Sequence, residues 1–81
     1  MITAFILLTV KAGTDQDIIK KLENYKNVKE VYEIYGAYDI LVRVEVQIEE
    51  ELRKIQQTLE KEENVWTVQI VRVVEVWKKE T

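Results

Sequence analysis

From Ile2 to Val10 both alternating sets of positions are apolar: Ile2, Ala4, Ile6, Leu8 and Val10 on one, Phe5 and Leu7 on the other. A strand with one wet face would alternate apolar with polar, so this run predicts a strand covered on both sides. Lys11-Ala12-Gly13 is the connector to a helix. Thr14 marks its start as an N-cap, its hydroxyl free to accept a backbone N–H, and Asp15 and Asp17 suit the positive helix end. Ile18, Ile19, Leu22 and Tyr25 follow at helical spacing as a stripe facing a sheet, and Asn27 is placed to close the helix in the left-handed conformation.

Val28 to Tyr35 reads as a second strand, with Val28, Tyr32 and Ile34 toward one side and Val31 and Tyr35 toward the other. Ile40, Val42, Val44 and Val46 then alternate with Leu41, Arg43 and Glu45, a half-buried strand. A second helix is predicted from about Ile48 to Lys61, with Ile48, Leu52, Ile55 and Leu59 as its stripe and Glu49, Glu50 and Glu51 at the end where the helix dipole favours negative charge. Val65 to Trp77 is a long last strand whose apolar phase shifts, first Trp66, Val68 and Ile70, then Val71 and Val73, then Val74 and Val76. A period of two cannot shift without a bulge or a change of environment, so its second half is expected to leave its own sheet or pair with a neighbouring subunit. The order βαββαβ predicts an α+β, ferredoxin-like fold: a four-stranded antiparallel sheet with two helices on one face.

Two helices cover one face of such a sheet. The other face would carry Phe5, Leu7, Val31, Leu41 and part of the last strand, or the alternate set, and leaving several such side chains in water forgoes roughly 1.5–3 kcal/mol each. Pairing two sheets face to face, as in a dimeric α/β barrel, removes the exposed patch, and a two-fold dimer is the commonest closed arrangement. The alternative is an open sheet softened by Arg43, Glu45, Glu30 and Glu33.

Eighty-one residues are enough for one domain, residues 1–81, and too few for a second core. The chain has no cysteine and no histidine, so neither a disulfide nor a Cys/His metal clip reinforces it. Association with further copies is the remaining reinforcement. The formal charge of -3, with Lys and Arg scattered among Asp and Glu, gives no basic face for phosphate contacts. No apolar run reaches the roughly 18 residues of a membrane span. The run Ala4-Phe5-Ile6-Leu7-Leu8 lacks a basic leader and a small-residue cleavage site, so a signal peptide is not expected and a cytoplasmic location is. Abundant Glu and Lys without cysteine resemble thermophile usage.

Tyr35-Gly36-Ala37-Tyr38-Asp39 turns one apolar strand back onto the next and leaves a carboxylate at the bend. Gly36 suits the first central position of a type II′ hairpin, where positive φ is required, and the same missing side chain would let a ligand approach the backbone. Two roles are open to Asp39: pairing with the ammonium of a free amino acid, or accepting the turn's own N–H groups. Tyr32, Tyr35 and Tyr38 cluster about the turn and read as packing residues with hydroxyls in water. Trp66 is expected beneath the second helix or at a subunit contact, and Trp77 as either a tail residue or an oligomer anchor.

With the hairpin placed, the sequence resembles the ligand-sensing C-terminal RAM domain of the Lrp/AsnC regulators. The likeness rests on the opening apolar strand, Val28-Lys29-Glu30-Val31-Tyr32, Gly36-Ala37-Tyr38-Asp39-Ile40, Val44-Glu45-Val46 before the Glu-rich helix, and Glu63-Asn64-Val65-Trp66-Thr67. It implies a domain that dimerises through its sheets, forms rings of dimers, and binds an amino acid at clefts between dimers, near Gly36, Ala37, Tyr38, Asp39, Thr67 and Gln69. Thr67 matches a hydroxyl position of that family. Gln69 stands where a second hydroxyl is usual, and Ala37 where an acid is usual, which leaves the ligand's identity open. Full regulators of the family carry an N-terminal helix-turn-helix, whereas this sequence opens on its first strand. The resemblance therefore implies a stand-alone RAM domain without a DNA-binding domain, acting on full-length Lrp-type regulators through shared interfaces and not on nucleic acid directly.

Catalysis finds little support in the residues. There is no His or Cys for nucleophile, base or metal ligation, and no Gly-rich phosphate loop, so no catalytic residue, metal or cofactor is expected. Beside the sensing domain stand two other readings: a purely structural assembly module without ligand, and a cofactor-free ferredoxin-like enzyme built on Asp39 and a tyrosine.

Overall fold

A computed structural model describes residues 1–80. The elements run β1 (Ile2–Val10), α1 (Asp15–Leu22), β2 (Val28–Glu33), β3 (Ile40–Val46), α2 (Glu49–Glu60) and β4 (Val65–Arg72). They form one antiparallel sheet in the order β2-β3-β1-β4, the ferredoxin-like arrangement expected from the pattern. β1 is central, and its alternation decides the two faces. Ala4, Ile6, Leu8 and Val10 are buried under the helices together with Ile40, Val42, Val44 and Val46 of β3. From above, Ile18 and Leu22 of α1 and Leu52, Ile55 and Leu59 of α2 close this core.

Several local expectations are corrected. Helix α1 ends at Leu22, one turn earlier than the apolar stripe suggested, and Tyr25 packs against the core from the turn that follows. Asn27 is not left-handed, since among the described residues only glycines have positive φ. It instead clamps β3: its amide donates to the Glu45 carbonyl at 3.1 Å, and its own carbonyl accepts from the Glu45 N–H at 3.0 Å. Thr14 occupies the N-cap position, but its hydroxyl donates to the Lys11 carbonyl and caps nothing. Ile48 is the N-cap of α2 and 58% exposed, outside the buried stripe. Isoleucine offers no acceptor, and the Glu51 carboxylate takes over by accepting from the Gln47 and Ile48 N–H groups at 2.8 and 3.2 Å.

Two register shifts govern which side chains reach which face. In β2 the pairing steps from Val28↔Val44 to Glu30↔Arg43, which makes Lys29 an extra residue. Val28 and Val31 therefore both pack on the helix side, while Glu30 and Tyr32 lie on the open side. The expectation that Val31 and Val28 face opposite ways fails because a strict period of two cannot see a bulge. In β4 the pairing steps from Val10↔Val65 to Thr9↔Thr67, leaving Trp66 as the extra residue. Trp66 is 66% exposed and does not lie beneath α2. Regular pairing in the last strand stops at Arg72, so its second half leaves the sheet as expected.

The open face consists of Thr3, Phe5, Leu7 and Thr9 from β1, Leu41, Arg43 and Glu45 from β3, Glu30 and Tyr32 from β2, and Thr67, Gln69 and Val71 from β4. Phe5, Leu7 and Leu41 form its apolar middle. Arg43 interrupts it, donating to Glu30 and Glu45 at 2.7 Å each.

Leu8 is fully enclosed, so Leu8→Ala is expected to cost about 2–5 kcal/mol by loss of apolar contact plus a residual cavity. Ile48→Ala at the exposed cap is expected to stay within about 0.5 kcal/mol. Urea denaturation of the two variants measures both.

Candidate functional site

The β2–β3 connection is longer than a two-residue hairpin. The Ile34 N–H donates to the Asp39 carbonyl at 2.9 Å, closing a four-residue loop of Tyr35, Gly36, Ala37 and Tyr38. This replaces the expected type II′ turn. Gly36 still has positive φ, +146°, and a Cβ there would meet nothing within 4 Å. Within the chain, then, backbone conformation and not crowding requires the glycine. Tyr35 is fully exposed, and Tyr38 is half-buried.

Asp39 is bound more firmly than the loop it ends. Its N–H donates to the Leu8 carbonyl at 2.8 Å, and its Oδ2 accepts from the Val10 N–H at 2.9 Å. The residue thus brackets Thr9 from the β3 side and satisfies the last amide of β1, where sheet pairing on that side runs out. Neither expected role describes this contact. The carboxylate does accept a backbone N–H, but from the neighbouring strand and not from its own turn.

Thr67 approaches the same point from the other side. It pairs with Thr9, and the two hydroxyls share a 2.6 Å hydrogen bond. Asp39, Thr9 and Thr67 therefore form a row across three adjacent strands at the end of β1. The outer two are about 10 Å apart at the backbone, twice the strand spacing. Gln69 lies one step back on the same face, opposite Leu7. The structure brings Asp39 and Thr67 to one strand end, and Gly36, Ala37 and Tyr38 form the loop beside Asp39. Thr9 was missed from the sequence. Its signal was a hydroxyl in an otherwise apolar stretch, which reads as a tolerated β-branched residue until its strand partner is known.

The site has few fixed charges. Among the described residues no cluster of His, Cys, Asp or Glu could hold a metal ion. No helix of the described residues is long and apolar enough to cross a membrane. The N–H groups of Gly36, Ala37 and Tyr38 find no acceptor among the described residues, so this loop offers donors beside a carboxylate. Further along the open face, the hydrogen bond from Arg43, aided by one from Tyr32, holds the Glu30 carboxyl below the usual glutamate range.

Comparison with known proteins identifies the lineage. Residues 3–81 match the Lrp/AsnC ligand binding domain. The chain belongs to this family. It is 36% identical over 80 residues to the HTH-type transcriptional regulator FL11 of Pyrococcus furiosus, covering 99% of this chain and 53% of that protein. The chain thus spans about half the length of the curated relative it matches. The crystal structure of FFRP-DM1 superposes with a TM-score of 0.86 at 32% identity, over 91% of this chain and all of that one. A transcriptional regulator of Neisseria meningitidis, NMB0573, solved as its complex with L-Met, shares the fold at a TM-score of 0.84. That likeness, 19% identity over 99% of this chain and 54% of the other, extends to the fold alone.

Two outcomes follow for the Lrp/AsnC-type site and face. Asp39→Ala leaves the Val10 N–H without its acceptor and is expected to destabilise by about 1–3 kcal/mol, with faster amide exchange at Val10 by NMR. The second concerns Glu30. A lowered carboxyl pKa adds stability that is complete above the unfolded value of about 4.3 and vanishes as pH falls through the folded value. An NMR titration is expected to place the Glu30 midpoint below the ordinary glutamate range, and Arg43→Met to raise it toward that range.

Proposed function

We propose that this chain is a small-molecule sensing and oligomerisation domain that takes a free amino acid, or a similar zwitterion, beside the row Asp39–Thr9–Thr67. The observation that carries the reading is the juxtaposition of a half-buried carboxylate with a loop of free backbone N–H groups, at the edge of a sheet face that the chain itself leaves open. An ammonium paired with Asp39 gains a charge-assisted hydrogen bond. The α-carboxylate of the same molecule meets the N–H groups of Gly36, Ala37 and Tyr38. Thr67 and Gln69 lie too far across the sheet to touch either group, so they would meet the ligand's side chain.

A second copy completes the cleft in this reading, because the loop and the row are otherwise open to water on one side. Binding would then favour whichever assembly presents the finished cleft, a population shift that requires differential affinity between states. Through the same interfaces the domain would join Lrp-type regulators and change their assembly, and the family membership supports a regulatory role over catalysis. The domain comprises residues 1–81 as one unit acting in the cytoplasm, without direct contact to DNA. Neither helix of the described residues belongs to a helix-turn-helix, since β2 and β3 intervene between them.

Asp39→Asn separates ligand binding from structure. The asparagine carbonyl can still accept the Val10 N–H, while the charge that attracts an ammonium is gone. Calorimetric titration with a panel of amino acids is expected to show about 10- to 100-fold weaker binding by this variant, with its thermal midpoint little changed. Equal affinity in both proteins would remove Asp39 from the mechanism. No heat from any amino acid, and no shift of the thermal midpoint, would favour the ligand-free assembly module.

A further inference from the structure

The arm that follows β4 returns over the open face. Its first residue is tied down, the Val73 N–H donating to the Thr3 carbonyl at 2.9 Å, and Val73–Glu80 then continues without regular structure. Between arm and sheet lies a groove of about 680 Å³. Phe5, Val73 and Val76 supply its apolar walls, and Arg43, Glu45 and Lys78 its polar rim. Beyond the half-buried Val73, the arm leaves its apolar residues largely in water: Val74 is 94% exposed, Val76 65% and Trp77 81%. An indole of this kind covers on the order of 150–250 Å² when buried, an area that water otherwise wets.

We propose that Trp77 of one copy seats in the groove between arm and open face of a second copy, the contact being made twice about a two-fold axis. This rests on the oligomeric reading above and adds the residue that anchors it. Socket and anchor occur on the same chain, which is what an isologous pair needs. The chemistry of the rim suits an indole. Arg43 is held in place by Glu30 and Glu45, so its guanidinium is presented without a further ordering cost to an aromatic face. Glu45 offers an acceptor to the indole N–H, a group that only donates. Phe5 beneath makes the floor continuous with Leu7 and Leu41, the apolar strip that a second sheet would cover. Trp66 cannot serve as this anchor. It lies outside the arm, seven residues before Val73 and about 23 Å away along an extended strand, so the groove rim of its own chain does not accompany it into a two-fold contact.

Because Trp66 is itself exposed, Trp66→Phe leaves the fold intact and makes Trp77 the single tryptophan. Sedimentation of that variant is expected to show a monomer–dimer equilibrium, with the Trp77 emission moving to shorter wavelength in step with dimer formation. Trp77→Ala in the otherwise unaltered chain is expected to weaken dimerisation about 30-fold, with far-UV circular dichroism unchanged. The proposal is overturned by a Trp77→Ala variant that associates as tightly as its parent. It is equally overturned by emission that stays fixed while dimers form, or by a parent chain that remains a single subunit at hundreds of micromolar. Amino-acid titration of the unaltered chain reads the sensing site separately. Trp77-dependent association without any ligand heat leaves this contact standing and removes the sensing role, whereas ligand binding with Trp77-independent association removes this contact alone.

Discussion

Two helices of eight and twelve residues cover one face of a four-stranded sheet and leave the other bare, and most of the molecule's behaviour follows from that inequality. On the covered side the side chains of β1 and β3 interdigitate with those of α1 and α2 and are sealed from water. The bare side has the same central strand, and therefore the same apolar character, with Phe5, Leu7 and Leu41 in a row and no helix above them, only the arm after β4 reaching over Phe5. A helical layer stabilises the domain, while the missing layer gives it a reason to meet another copy. The charges of the bare face are few and mutually paired, Arg43 with Glu30 and Glu45.

The candidate site belongs to the same geometry. β1 runs two residues, Thr9 and Val10, past its last pairing with β3, so the Val10 amide would stand unpaired on that side without the Asp39 carboxylate. One residue thereby serves two ends, completing the sheet and placing a negative charge at its rim. The hydroxyls of Thr9 and Thr67 continue the row, and the Gly36 loop adds free donors beside it. The binding role proposed for this row needs no catalytic side chain, which suits membership of a regulatory family.

Much of the fold could be read from periodicity. The β3 alternation, the α2 stripe from Leu52 to Leu59 and the element order needed no structure. What escaped were events that periodicity does not encode. The extra residue at Lys29 turned Val31 to the helix side, and the extra residue at Trp66 pushed that ring into solvent. Ile48 continued the helical spacing but fell at the cap, where the chain is still extended. At the strand end, Asp39 could be singled out as a candidate from the sequence but its structural partner could not, since Val10 is 29 residues away and is joined only through the sheet. Thr9 hid for the same reason: a hydroxyl in a strand declares its purpose only when the opposite strand is in register.

The two extra residues have a further consequence. Both rims of the sheet, β2 and β4, carry an interruption, at Lys29 and at Trp66. A rim broken in this way presents no uninterrupted row of amides and carbonyls for another strand to zip onto. Sideways growth into ribbons and fibrils is thereby discouraged, even though the chain is rich in valine and isoleucine and has no proline to interrupt it. What stays available for contact is the broad face of the sheet and not its two rims.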